Sequence, residues 1–105
     1  EIFECGAISI EDELEGHVLH LFAVSKLKDL DEKINNKIKS IFGIYALPKK
    51  IYYLSELPKT RSGKILRRLL RDILLNPKSD DYGDLSTISN SEIVNEIQYV
   101  VKNYE

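Results

Sequence analysis

The feature that most limits how this chain can fold is a strongly amphipathic helical pattern that begins directly after a charged turn. Apolar residues within 65–74 follow the i, i+1, i+4, i+5 spacing of a helix with one buried face. The other face carries three arginines, Arg67, Arg68 and Arg71. The preceding residues 58–63, Pro-Lys-Thr-Arg-Ser-Gly, are dense in turn formers and predict a loop, and Asn76-Pro77 predicts the end of the helix.

Three segments predict β-strands. Residues 5–10, 17–24 and 51–54 are apolar or β-branched, and polar or turn-forming residues flank them. The first two strands are joined by a short polar connection that ends at Gly16, which predicts that they pair as a hairpin.

Two further segments predict helices. The first has apolar residues at helical spacing from Leu30 to Phe42 and ends at Gly43. The second carries one apolar stripe, formed by Ile93, Ile97, Val100 and Tyr104. Asp29 with Glu32, and Ser89 with Glu92, have the spacing of a capping box at the two helix starts. The resulting order β-β-α-β-α-α predicts an α+β domain, with a small sheet of about three strands covered by helices.

Size and composition restrict the function classes. A chain of 105 residues forms one small domain, and its net charge of −2 gives no reason to expect a polyanion partner. A single cysteine indicates a reducing compartment, and no apolar run is long enough to span a bilayer. These observations predict a cytoplasmic location, with a nuclear one also possible, and no nucleic-acid or membrane partner. The chain also starts without Met, which we interpret as the sign of a longer polypeptide.

Lys64 is the leading candidate for chemistry. Ser62 and Gly63 allow the backbone to turn tightly and to approach a ligand. If the following helix starts here, Lys64 opposes the helix dipole, which indicates an anionic partner such as a phosphate or a carboxylate. The alternative is an ordinary solvated lysine. A nucleotide P-loop is rejected, because Pro58 replaces the first glycine and Ile65 replaces the metal-binding hydroxyl residue.

A family resemblance decides between these alternatives. Residues 58–65, Pro-Lys-Thr-Arg-Ser-Gly-Lys-Ile, resemble the motif P-K-T-x-S-G-K-[ILV] of the adenylate-forming superfamily, which includes acyl-CoA synthetases and luciferases. The continuation 66–71 and the segment 83–87, Gly-Asp-Leu-Ser-Thr, are similar to the acetyl-CoA synthetase branch. Weaker similarity at residues 4–8 and 15–17 extends the resemblance over nearly the whole chain.

The resemblance implies a role and a set of partners. Residues 1–105 would be part of a mobile C-terminal lid domain, and Lys64 would be catalytic in the step that joins a small carboxylic acid to the α-phosphate of ATP. ATP and CoA would be co-substrates, and Mg²⁺ would accompany ATP in a large N-terminal domain of the same polypeptide. The hinge of the lid would precede Glu1. This chain alone is therefore expected to be inactive.

Lys39 is a second candidate that the resemblance supplies. Acetyl-CoA synthetases carry an arginine late in the corresponding helix, near the 3′-phosphate of CoA, and Lys39 occupies that position. A lysine can serve as a point charge there, but it cannot form the bidentate contact of an arginine. Alternatively, Lys39 belongs only to the solvated face of a helix. Ile44 replaces a proline common in the family, which leaves the loop geometry open.

The remaining candidates have simpler interpretations. His17 and His20 are three apart on a predicted strand, so they face opposite sides and cannot share a metal; no metal site is predicted. Cys5 is predicted to be a buried core thiol. The rival function is a small nucleic-acid-binding or interaction module that uses six basic residues, Lys59, Arg61, Lys64, Arg67, Arg68 and Arg71. The net charge and the lack of aromatic residues among them disfavour nucleic acid.

Overall fold

A computed structural model describes residues 2–26, 30–43 and 47–104 of the chain. Its elements are β1 (Ile2–Asp12), β2 (Gly16–Ser25), α1 (Asp31–Phe42), β3 (Lys50–Leu54), α2 (Arg67–Leu75) and α3 (Ile93–Lys102). The predicted order β-β-α-β-α-α and the α+β class are therefore confirmed. Within the described ranges, no helix has the length and apolar character needed to cross a membrane.

The sheet has three strands in the order β1-β2-β3. β1 and β2 are antiparallel, with Ile8 opposite His20, which confirms the predicted hairpin. Its turn is closed by the Asp12 carboxylate, which accepts hydrogen bonds from the backbone N–H groups of Leu14 and Glu15 at 2.8 and 3.0 Å. β3 pairs with β2 in parallel, because α1 carries the chain back to the same end of the sheet.

Successive side chains of a strand point to opposite sides of the sheet, and in this sheet the apolar residues are distributed over both faces. One face packs against α2 and α3; its core residues include Ile8, Phe22, Tyr52, Leu54, Leu69, Leu70, Ile73 and Ile97. The other face contributes Leu21 and Ile51, which pack with Leu30 and Ile34 at α1. The helices thus cover the sheet, as predicted, and the structure shows that they lie on both sides of it.

Cys5 is exposed, so the prediction of a buried core thiol is wrong. On β1 the even-numbered residues Gly6 and Ile8 face the larger core, whereas Cys5 points to the α1 side. There it lines an apolar groove of about 380 Å³ together with Leu21 and Ile34. Partial desolvation raises the pKa of the Cys5 thiol.

Of the two predicted helix caps, one lies outside the described residues and the other differs from the structure. Asp29 is not among the described residues; the backbone N–H of Leu30, the residue before α1, donates to the Tyr53 hydroxyl at 2.8 Å. Ser89 does not cap α3: its hydroxyl donates to the Lys59 carbonyl at 3.2 Å, and α3 has no side-chain cap. The predicted apolar face of α1 is shorter than expected, since Ile41 and Phe42 are exposed.

His17 and His20 behave as ordinary strand residues. His20 packs beside Tyr52, with 3.1 Å between its Nδ1 atom and the Tyr52 hydroxyl, whereas His17 is exposed. The described residues contain no group of three or more His, Cys, Asp or Glu side chains arranged to hold a metal ion.

Candidate functional site

Residues 59–65, here called the lysine hairpin, carry the predicted catalytic lysine. Lys59 pairs with Ile65 in an antiparallel bridge, and the Thr60 N–H donates to the Lys64 carbonyl at 2.8 Å. The turn is closed by the Gly63 N–H, which donates to the Thr60 carbonyl at 2.9 Å. This pattern is typical of a three-residue hairpin loop with a left-handed residue at its third position.

Gly63 has a φ of +92°, a conformation that side chains with a Cβ rarely adopt. The prediction that this glycine permits a tight turn is therefore confirmed in geometric terms. The Thr60 hydroxyl strengthens the turn, because its Oγ1 atom accepts the Lys64 N–H at 3.2 Å and lies 3.0 Å from the Ser62 hydroxyl. Ser62, Gly63 and Lys64 are all exposed at the tip.

The position of Lys64 relative to α2 differs from the prediction. α2 begins at Arg67, after Leu66, whose N–H donates back to the Pro58 carbonyl at 2.9 Å. Lys64 belongs to the hairpin and not to the first helical turn, so the argument from the helix dipole does not apply to it. Among the described residues, its ammonium has no hydrogen-bond or ion-pair partner.

A second segment, residues 82–90, lies behind the lysine hairpin; we call it the backing segment. Thr60 forms an antiparallel bridge with Ile88, and the Arg61 N–H donates to the Thr87 carbonyl at 3.1 Å. The Ser89 N–H donates to the Lys59 carbonyl at 2.9 Å. The sequence similarity in residues 83–87 therefore falls on the part of the chain that supports the lysine.

Arg68 holds the backing segment against α2. Its guanidinium donates to the carbonyls of Tyr82 and Asp84 at 2.8 and 3.0 Å and pairs with Asp72 at 3.0 Å. Within the segment, the Asp84 carboxylate accepts the Ser86 N–H at 2.9 Å, and this bond lowers the pKa of Asp84. Arg68 lies on a polar helix face, and the charged residues of segment 79–92 are all acidic, so the sequence favoured a contact between them without specifying the partner atoms.

Asn90 is a residue that sequence reasoning missed. It is buried at the end of the backing segment, with 8% of its surface exposed, and its side-chain Oδ1 accepts the Lys59 N–H at 3.2 Å. Its Nδ2 group donates to the Leu57 carbonyl at 3.0 Å and to Glu56 Oε1 at 2.7 Å. An asparagine in a polar loop is common in sequences, so only its burial reveals these contacts.

Two of the six basic residues between Lys59 and Arg71 have their charge offset by an acidic partner. Lys59 forms an ion pair with Glu4 on β1, and Arg68 is occupied by Asp72 and the backing segment. Both groups therefore contribute to holding the lysine hairpin. This arrangement weakens the alternative of a continuous nucleic-acid-binding surface.

Lys39, the second predicted site residue, lies exposed in the last turn of α1. Its carbonyl accepts the Gly43 N–H at 3.1 Å, which ends the helix. Ile44 lies outside the described residues. The apolar groove beside α1 is lined by neither Lys39 nor any residue of the lysine hairpin.

Comparisons with known proteins agree with this arrangement. The family model of the AMP-binding enzyme C-terminal domain matches residues 1–64. Acetyl-coenzyme A synthetase 1 of Kluyveromyces lactis is 38% identical over 113 aligned residues, which cover 96% of this chain and 16% of that protein. This chain thus spans about one sixth of the length of that relative.

Two solved structures have the same fold. An acyl-CoA synthetase of Brucella canis matches with a TM-score of 0.66 and 26% identity, over 74% of this chain and 15% of its own. The acetoacetyl-CoA synthetase of Streptomyces lividans matches with a TM-score of 0.70 over 94% of this chain and 16% of its own, and at 15% identity it supports the fold alone. The chain therefore belongs to the AMP-binding enzyme C-terminal domain family.

Proposed function

We propose that this chain is the lid domain of an acetyl-CoA synthetase, which converts acetate, ATP and CoA to acetyl-CoA, AMP and pyrophosphate. The observation that carries the proposal is the exposed Lys64 ammonium, which has no polar partner among the described residues. The Lys64 backbone, in contrast, is fixed, because both its N–H and its carbonyl are hydrogen-bonded to Thr60. The similarity to acetyl-coenzyme A synthetases supports the choice of acetate.

Lys64 acts in the first half-reaction. The acetate carboxylate attacks the α-phosphate of ATP and displaces pyrophosphate, which gives acetyl-adenylate. Two anions must approach each other in this step, and negative charge accumulates on the phosphate oxygens. An ammonium group near both anions reduces their repulsion and stabilises the charge of the transition state. Ser62 and Gly63 add little bulk beside the lysine, which lets the hairpin tip approach the nucleotide.

The second half-reaction requires a different arrangement of the domain. The CoA thiolate displaces AMP from acetyl-adenylate while another face of the lid lies towards the active site. Under this proposal a large domain of the same polypeptide binds ATP with its Mg²⁺, and Lys39 contributes a point charge for the 3′-phosphate of CoA. The compartment is proposed to be the cytoplasm, with the nucleus as a further location.

The test compares the two half-reactions in the complete synthetase. Lys64→Ala removes the ammonium, and we expect ATP–pyrophosphate exchange in the presence of acetate to fall by roughly 10²–10³-fold or more. Formation of acetyl-CoA from preformed acetyl-adenylate should be unchanged. Arg61→Ala is the matched control, because it removes one positive charge from the exposed tip of the same hairpin.

Two outcomes would contradict the proposal. Equal loss of both half-reactions in Lys64→Ala would show that the lysine is not confined to adenylation. Full turnover in Lys64→Ala would favour an interaction module without a chemical role.

A further inference from the structure

Asn90 joins the base of the lysine hairpin to the body of the domain. Its three side-chain hydrogen bonds reach the chain on both sides of Pro58, at Glu56, Leu57 and Lys59. Pro58 itself is buried and is the residue through which the chain enters the hairpin. Asn90 therefore contacts the chain at the point that sets the direction in which the hairpin leaves the domain.

The chemistry of these contacts requires an amide. The Oδ1 atom faces a backbone N–H donor, and the Nδ2 group faces two acceptors, a carbonyl and a carboxylate oxygen. A side chain of the same shape that lacks the two donor hydrogens leaves the acceptors unpaired. Because a buried polar group is tolerated only when its hydrogen bonds are made, the three contacts fix the side chain in one orientation.

Asn90 lies in the turn that leads into α3. Its backbone carbonyl accepts the Ile93 N–H at 3.0 Å. In the first turn of α3, the Glu96 carboxylate accepts the backbone N–H of Ser55 at 2.8 Å. The segment that leads from β3 into the lysine hairpin is thus held at two points, by Glu96 of α3 and by Asn90 before it, and Asn90 is the one nearer to Lys64.

We propose that Asn90 is a positioning residue for the adenylation step: it holds the base of the lysine hairpin so that Lys64 projects in the direction that step requires. Asn90 touches no substrate in this scheme and acts through the backbone at Leu57 and Lys59. The inference rests on the role proposed above for Lys64.

The experiment introduces Asn90→Ala into the complete synthetase. Loss of the three contacts allows the hairpin to shift, and displacement of a catalytic group by an ångström lowers a rate by about 10- to 100-fold, which is the decrease we expect in kcat for ATP–pyrophosphate exchange. Formation of acetyl-CoA from preformed acetyl-adenylate should be unchanged. Backbone amide hydrogen exchange should accelerate within residues 59–65 and stay constant within β1 and β2.

Gln98→Ala is the matched control. The Gln98 amide contacts three acceptors, the carbonyls of Pro77 and Ser79 and the Tyr82 hydroxyl, at 2.8–3.1 Å. One of them reaches Tyr82, the first residue of the backing segment, but none reaches the lysine hairpin itself. If Asn90 matters only because it stabilises the domain, Gln98→Ala should reduce adenylation to a similar degree; the inference instead predicts that Gln98→Ala leaves it unchanged.

Lys64→Ala, measured in parallel, separates a failure of the function proposed for Lys64 from a failure of the positioning role proposed for Asn90. Normal adenylation in Lys64→Ala overturns the proposed function and this inference with it. Lost adenylation in Lys64→Ala with normal adenylation in Asn90→Ala overturns the inference alone, as does an equal decrease in Asn90→Ala and Gln98→Ala. If Asn90→Ala does not fold, Asn90→Ser replaces it under the same criteria, since serine keeps a polar group but has one donor hydrogen and cannot pair with both acceptors.

Discussion

Lys64 and Lys39 are both exposed, and the backbone of each meets a glycine: Lys64 directly follows Gly63, and the Lys39 carbonyl accepts the N–H of Gly43. The two glycines have nearly the same φ, +92° at Gly63 and +91° at Gly43. They differ in what holds them. The hairpin around Lys64 is bonded to residues 87–90, which lie far along the chain, whereas the described backbone contact of Lys39 is the local one that ends α1. A helix places a lysine at such a position by local rules alone. The long-range bonds hold the hairpin around Lys64 in one direction, as the role proposed for Lys64 requires.

Substitution of the two glycines gives the largest expected effect within this comparison. Gly63→Ala and Gly43→Ala each force a Cβ into the left-handed region without a steric clash, so each should lower the free energy of unfolding by about 1–3 kcal/mol. Only Gly63→Ala should reduce ATP–pyrophosphate exchange, by roughly 10- to 100-fold, because it shifts the lysine. Denaturant unfolding and exchange kinetics measure both quantities. Similar kinetic losses in the two variants would remove the distinction between the lysines.

Thr60→Val should have an intermediate effect. It removes the hydroxyl that accepts the Lys64 N–H, a bond that contributes about 0.5–1.5 kcal/mol, so adenylation should decrease by about three- to tenfold. Thr87→Val is the control, since Thr87 supports the hairpin through its carbonyl group. An equal decrease in Thr87→Val would show that any change near the tip lowers the rate.

Lys39→Ala should give the smallest effect. An exposed ion pair contributes about 0.2–1 kcal/mol, so the KM for CoA should rise by no more than about fivefold while adenylation is unchanged. With dephospho-CoA, which lacks the 3′-phosphate, the wild type and the variant should have the same KM. Lys37→Ala, an exposed lysine on the same helix, is the control. A rise in KM that persists with dephospho-CoA would exclude the phosphate contact.

The sequence predicted all six elements, because each has a regular apolar pattern that reports its own local structure. It misplaced the start of α2, since Ile65 and Leu66 continue the helical spacing although Ile65 pairs with Lys59 and Leu66 bonds back to Pro58. Pairing between distant segments leaves no periodic signal. For the same reason the bonds between the backing segment and the lysine hairpin and the burial of Asn90 could not be predicted, although the acidic composition of residues 79–92 favoured a contact with the arginines of α2.

The candidate site was located by its motif and not by physical reasoning on the sequence. The helix-dipole argument for Lys64 assumed a helix start that the structure places at Arg67. Cys5 was misjudged because apolar neighbours do not show which side of an edge strand is covered. The roles of Lys64, Gly63 and Lys39 stay predictions until the variants above are measured, and the role of Ser62 also stays a prediction.

At Arg61 the hairpin is fastened through a main-chain N–H, and the side chain at this position is exposed. Nineteen of the twenty common amino acids possess that N–H, and proline alone lacks it. The residue three places before the lysine is therefore free to differ among related enzymes, from basic to neutral or acidic, without redirecting the ammonium.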